Sequence, residues 1–249
     1  MQDSYQKPYA SLDDQFLAWR RLGAVQKVQS ILMLTEPGPT LNAHASSEIS
    51  EVIEIGAGTG AILEELSTKR PHWNLAAVDL AERNVAAIRQ LDLRNLTQSQ
   101  VADAAQLPFP DKRFDLAILS HVIEHLPDPV VALCEAKRIA RLVLIEVPVE
   151  GTPILDLVWF IRKHGGQNRV PNDLGHLWHC SVREWNRVIA AAGLTIIARL
   201  QYLLRREVLL FGKSGGALHL ARIRATGQSL FGTKIWGNLV HSHYAVLAA

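Results

Sequence analysis

Cysteine is scarce in this chain: Cys134 and Cys180 are the only two among 249 residues. So widely separated a pair makes neither a disulfide framework nor a closely spaced thiol motif. Both are read as free thiols of a reducing compartment, with Cys134 buried on a helix and the cytoplasm as the expected location. An excess of charge of one sign is also missing. Lys and Arg number 26 against 24 Asp and Glu, a formal net charge of +2, and no long Lys/Arg run is present. Nucleic acid is therefore not the expected partner. Long uninterrupted apolar runs are absent as well. The greasiest stretch, 142–161, contains Glu146, Glu150, Asp156, two prolines and Gly151. A membrane-crossing helix needs about 20 nearly uncharged residues, so no integral membrane association is expected. The first residues, MQDSYQKPYASLDDQFLAWRR, lack a basic patch leading into an apolar core, and no signal peptide is expected. No internal repeat or low-complexity tract is evident.

What is present is the composition of an ordered globular protein, 48% hydrophobic and 20% charged. At this length a single domain over 1–249 can bury a large core. Five apolar runs read as strands: 51–56, 74–79, 98–102, 113–120 and 141–147. Helix-like patterns lie between them around 60–70, 81–91 and 128–139. This alternation predicts an α/β core over 50–148, with parallel strands and helices on both faces of the sheet. Ligands of such a sheet bind beyond the carboxyl ends of its strands. An N-terminal extension over 1–45 carries one or two helices at 12–35, broken by Gly38 and Pro39. Ser181 and Glu184 have the spacing of a capping box, so a helix is expected from near Ser181 to before Gly193. LTIIARL and SHYAVLAA read as two more strands, and 205–240 as a helix with a loop.

The densest chemical signal is E-I-G-A-G-T-G at 54–60, directly after a strand. Gly56, Gly58 and Gly60 permit a tight turn and close approach of a ligand to the backbone. Asp79 ends the second strand, where a carboxylate accepts both hydrogen bonds of a ribose diol; otherwise it is a strand-end or helix-cap residue. Asp103 follows the third strand and could accept from an adenine amino group beside the Ala104 backbone, or simply close a turn. Gly56-x-Gly58-x-x-Ala61 also satisfies a loose dinucleotide fingerprint, which keeps a nicotinamide-dependent oxidoreductase as an alternative.

Taken in order, these segments resemble the class I S-adenosylmethionine-dependent methyltransferase family, especially its small-molecule branch that includes quinone-biosynthesis methyltransferases. The resemblance runs over roughly 50–148. It is carried by Glu54-Ile-Gly-Ala-Gly-Thr-Gly60, Val78-Asp79-Leu80 and Ala102-Asp103-Ala104, then Leu107-Pro-Phe-Pro-Asp111, Phe114-Asp115-Leu116 and Ser120-His-Val-Ile-Glu-His125. It implies a Rossmann-like, seven-stranded, mostly parallel sheet flanked by helices, with the last strand antiparallel. The cofactor it implies is S-adenosylmethionine. Glu54 would shape the loop and reach the cofactor's ammonium through water, and Gly56 and Gly58 would admit its methionine portion. The Ser120 backbone would close the opposite side. Asp79, with Leu80 beside it, would hold the ribose, and Asp103 with Ala104 the adenine. Phe109 is either an adenine neighbour or a core residue, and Asp115 a structural strand-start residue. A catalytically silent cofactor-binding interaction protein remains a further alternative, and a homodimer is compatible with a sequence that carries no signature for one.

Methyl transfer needs the attacking atom, methyl carbon and sulfur nearly in line, and a base where the nucleophile must lose a proton. His121 stands nearest the end of the fourth strand and is a candidate base or orienting group. Glu124, His176 and His179 are further candidate bases; His125 is read as structural or substrate-positioning. Four imidazoles are enough to suggest a metal, but nothing in the spacing shows that they converge, and no metal is expected. The segment 151–180 is expected to act as a substrate loop or lid, with Trp159 and Trp178 as apolar walls and Gly165-Gly166 as a flexible point. Arg162, Lys163, Arg169 and Arg205-Arg206 read as solvated charges.

Overall fold

The computed structural model describes residues 14–37, 49–152, 175–239 and 242–249. Five strands run parallel: β1 (Glu51–Ile55), β2 (Asn74–Asp79), β3 (Leu96–Val101), β4 (Phe114–Ser120) and β5 (Ala140–Val149). With β6 (Ile196–Tyr202) and β7 (Ser242–Ala248) they make one seven-stranded sheet in the order β3-β2-β1-β4-β5-β7-β6. The last strand, β7, inserts between β5 and β6 and runs antiparallel to both. This is the expected Rossmann-like α/β sheet. The chain steps outward from β1 to β3 and then returns to β4. The strand order therefore reverses between β1 and β4, where a doubly wound sheet opens its ligand crevice.

Strand side chains alternate between two cores. In β4, Ala117 and Leu119 face one and Leu116 and Ile118 the other; in β5, Val143 and Ile145 oppose Leu142 and Leu144. Burial on both faces explains why these strands read as continuous apolar runs. One face is covered by α1 (Asp14–Thr35), through Ala24, Val28, Ile31 and Leu34, and by α2 (Ala61–Lys69), through Ile62, Leu63 and Leu66. The residue α3 (Glu82–Gln90) adds to this core is Ile88. The other face is covered by α4 (Pro129–Ile139) and α5 (Val182–Ala191). The Asp128 carboxylate caps α4 by accepting from Val130 N, with Pro129 in the first turn. Ser181 and Glu184 complete the capping box of α5.

Two details differ from expectation. Cys134 lies on α4 but is exposed, because it falls off the stripe of Ala132, Leu133, Ala136 and Ile139 that meets the sheet; Cys180 is buried. The 205–240 region is almost wholly helical, as α6 (Arg206–Leu210) and α7 (Gly215–Leu239), with Gly232 at φ +65° breaking the second. Among the described residues no helix is long and apolar enough to cross a membrane.

Candidate active site

The glycine loop begins where β1 ends. Gly56 has φ +71° and Gly58 φ +57°, a region that costs an L side chain about 1–2 kcal/mol. Space enforces the choice at Gly56, where a Cβ would meet Val122 Cγ2 at 2.6 Å. The backbone nitrogens of Gly56 and Ala57 both donate to Val78 O, at 2.8 and 3.0 Å, tying the loop to the end of β2. Asp79 completes the brace. Its carboxylate accepts from Gly58 N at 2.7 Å, Ala81 N at 2.9 Å and Asn84 Nδ2 at 3.0 Å, and the residue is buried. The two motif residues singled out from sequence, the loop and the strand-end acid, are thus one hydrogen-bonded unit.

Glu54 lies beneath this unit at 3% exposure, and its Oε2 has no hydrogen-bond partner. Burial pushes its pKa up to about 8, against the pull of the Arg20 and Lys27 charges on α1. An unsatisfied buried carboxylate oxygen beside a side-chain-free backbone cradle fits a ligand bearing an ammonium group. Across the crevice, Ser120 at the end of β4 accepts a hydrogen bond from Lys27 Nζ at 3.1 Å. Leu80 and Asp103 are exposed, and Asp103 closes its own turn by accepting from Ala105 N at 2.8 Å; Ala104 packs partly against the core. Phe109 meets Phe114 edge to face at 5.1 Å as part of that core. Asp115 is structural, accepting from Ser50 N and Glu51 N at the start of β1 and pairing with Arg141.

Beyond β4 the chain turns sharply at His121, whose φ of +57° is unusual for a non-glycine residue, into a 3₁₀ turn, Ile123–His125. This throws the His121 ring between three elements. Its Nε2 lies 2.9 Å from His243 Nδ1 and 3.4 Å from Glu146 Oε1, and its Nδ1 lies 3.0 Å from Glu124 Oε1. Burial and the Lys27 charge oppose protonation of this ring, but the Glu124 and Glu146 carboxylates outweigh them and hold its pKa above the ordinary histidine value. Tyr202 donates to Glu146 Oε1 at 2.6 Å and stacks on His243.

A second group forms alongside. His125 Nδ1 is 3.2 Å from Gly175 O, and its ring meets that of His176 edge to face at 4.9 Å. Glu150 Oε2 receives both His176 Nδ1, at 2.9 Å, and His179 Nδ1, at 3.0 Å. Trp178 Nε1 donates to Leu126 O at 2.8 Å and the ring packs on the core, so it is tied to the 3₁₀ turn. Trp159, Gly165-Gly166 and most of the expected 151–180 lid lie outside the described residues.

The structure therefore brings His121, His125, His176 and His179 to one end of the sheet. It sets the candidate base Glu124 beside them and adds Lys27, Glu146, Glu150, Tyr202 and His243. Sequence reading did not assign most of these to the site. The one available signal was the pair of acids, Glu146 and Glu150, inside the greasiest stretch of the chain. Lys27, Tyr202 and His243 are remote in sequence and carried none.

Residues 53–142 match the methyltransferase domain family. Over 132 residues the chain is 31% identical to demethylmenaquinone methyltransferase of Lactiplantibacillus plantarum, covering 47% of this chain and 52% of that protein. Over 112 residues it is 33% identical to the ubiquinone/menaquinone biosynthesis C-methyltransferase UbiE of Rickettsia massiliae, covering 41% and 42%. The chain thus spans about half the length, or less, of these curated relatives. A solved methyltransferase of Thermotoga maritima shares the fold over 99% of both chains, with a TM-score of 0.61 at 17% identity. A geranyl diphosphate methyltransferase solved with sinefungin covers 90% of this chain and 78% of its own, with a TM-score of 0.60 at 11% identity. The matched span runs from β1 through the glycine loop and β4 to the first residues of β5. The histidine–glutamate cluster also draws on residues outside the matched span: Lys27, Glu146, Glu150, His176, His179, Tyr202 and His243.

Proposed function

We propose that this chain transfers the methyl group of S-adenosylmethionine to an oxygen, nitrogen or carbon nucleophile of a small organic molecule. The observation that carries this reading is the braced unit of Gly56, Gly58, Asp79 and buried Glu54 at the reversal point of the sheet. When bound there, the cofactor would supply an electrophilic methyl carbon on a positively charged sulfur. The chain's own residues do the rest. Gly56 and Gly58 expose backbone to the methionine portion, and the Glu54 carboxylate offers its unpaired oxygen to the ammonium. Asp79 keeps a lone pair on Oδ2 for the ribose while bracing Gly58. Ser120 and Lys27 line the opposite wall of the crevice.

The polar cluster past β4 is the substrate side of this reading. His121 orients the nucleophile, His125, His176 and His179 shape the cleft, and Trp178 forms an apolar wall. Alignment of the reacting atoms is the main contribution, since a well-held near-attack geometry supplies several kcal/mol. The 151–180 segment sets substrate selectivity. The relatives named for quinone biosynthesis support an aromatic or isoprenoid substrate and a carbon nucleophile. The test is incubation with methyl-labelled S-adenosylmethionine and an extract of the source cells, followed by mass spectrometry of labelled products. A labelled small molecule that disappears with Asp79→Ala supports the reading. Protein that binds the cofactor yet labels nothing favours a silent binding role, and preference for NAD over both sulfur cofactors overturns the assignment.

A further inference from the structure

We propose that Glu124, His125 and His176 bind one divalent first-row transition-metal ion. One potential ligand atom from each lies within 4.8 Å of the others. Ligand atoms each held about 2.1 Å from an ion stand roughly 3.0–3.4 Å apart, so small side-chain rotations close the set.

The imidazoles are prepared for this. A backbone carbonyl can only accept, so the contact between His125 Nδ1 and Gly175 O at 3.2 Å places that ring's proton on Nδ1. The Glu150 carboxylate does the same to His176 at 2.9 Å. In the neutral rings Nε2 then carries the lone pair, and a carboxylate behind a ligating histidine is the recurrent outer partner of metal sites. Glu124 supplies an independent sign. It is 0% exposed, and its Oε2 completes no hydrogen bond, which is costly for a buried carboxylate. The frame is rigid as well: Leu177 N and Trp178 N both donate to Glu124 O, at 2.8 and 3.2 Å, fastening the segment that carries His176 to the turn that carries Glu124 and His125.

His121, Glu146 and His243 make a second convergent trio, but two of its ring nitrogens are already paired with each other. His121 Nε2 meets His243 Nδ1 at 2.9 Å and Tyr202 occupies Glu146 Oε1. The Lys27 charge beside Glu146 also opposes a second cation there. Two imidazoles and one carboxylate suit zinc, cobalt, iron or nickel better than magnesium or calcium. Three protein ligands leave open positions for water or for a substrate oxygen.

The test is independent of methyl transfer. The full chain is stripped with a chelator and titrated with Co2+ and with Zn2+, following bound metal by equilibrium dialysis and the cobalt absorption spectrum. One equivalent per chain is expected. Glu124→Gln and His176→Asn should each weaken it by at least about tenfold, and Glu150→Gln by about 10- to 100-fold through loss of the outer partner. Circular dichroism checks that each variant is folded, and if one is not, the others carry the comparison. No stoichiometric metal on the folded wild-type chain overturns the proposal. So does binding that survives Glu124→Gln and His176→Asn but is lost in His243→Asn, which would place the ion in the other trio.

Discussion

Asp79→Ala tests whether one carboxylate both braces the glycine loop and holds the cofactor. The substitution removes the acceptor of two buried hydrogen bonds, from Gly58 N and Asn84 Nδ2, and of a half-buried one from Ala81 N. Bonds to a charged acceptor contribute about 1.5–3 kcal/mol each, and water entering the vacated space restores part of that. The net loss of stability is then about 2–4 kcal/mol. For a chain of this size that lowers the melting temperature by roughly 5–15 °C. Cofactor affinity should fall further than stability requires, since a charge-assisted hydrogen bond to the ribose is lost. At about 1.5–3 kcal/mol it corresponds to a ~10- to 150-fold increase in Kd. Differential scanning calorimetry and isothermal titration with S-adenosylmethionine read the two effects separately. Asn84→Ala serves as the control, because it removes part of the brace and keeps the carboxylate; about 1 kcal/mol of stability and little affinity should be lost. An unchanged Kd in folded Asp79→Ala would refute the ribose assignment, and an unchanged melting temperature would refute the brace.

Three other outcomes follow from the same geometry. The pKa of Glu54 is raised to about 8 in the folded chain, so its contribution to the stability of the cofactor-free protein is fully present below about pH 4.5 and is lost as pH rises through about 8. Cofactor binding that pairs with the ionised carboxylate should tighten over that same rise, and Glu54→Gln should flatten both pH profiles; a wild-type Kd independent of pH from 6 to 9 would count against the pairing. Gly56→Ala forces a Cβ into the left-handed region 2.6 Å from Val122 Cγ2. Strain of about 1–2 kcal/mol plus the clash should lower the melting temperature and weaken the cofactor, and adding Val122→Ala should recover only the clash. Finally, His176→Gln and His179→Gln, measured separately once a substrate is known, should leave cofactor Kd nearly unchanged while impairing turnover or substrate KM in at least one. Wild-type kinetics in both, across pH, would remove these histidines from the substrate site.

Local pattern was enough for the α/β core. Strand and helix periodicity placed β1 to β5 and α2 to α4 close to their observed bounds, because a strand buried on both faces must be apolar throughout and an amphipathic helix must repeat. The glycine loop, Asp79 and the Ser181 capping box were legible for a related reason: each is a short-range device whose residues lie close in sequence or at the ends of adjacent strands. The position of Cys134 was not, since helical periodicity alone does not say which stripe of α4 meets the sheet. The polar cluster was beyond reach as a whole. His121, Tyr202 and His243 are brought together only because β7 inserts antiparallel between β5 and β6, and His176 reaches His125 because the end of the 151–180 segment folds back onto the 3₁₀ turn. Lys27 joins them from α1, across the sheet order rather than along the chain. By itself the sequence determined that this chain builds a glycine-loop α/β core, because those constraints act over a few residues at a time. Which histidines face which carboxylates, and hence what the other half of the site can hold, was decided only by long-range packing, where burial and charge pair groups that the sequence keeps far apart.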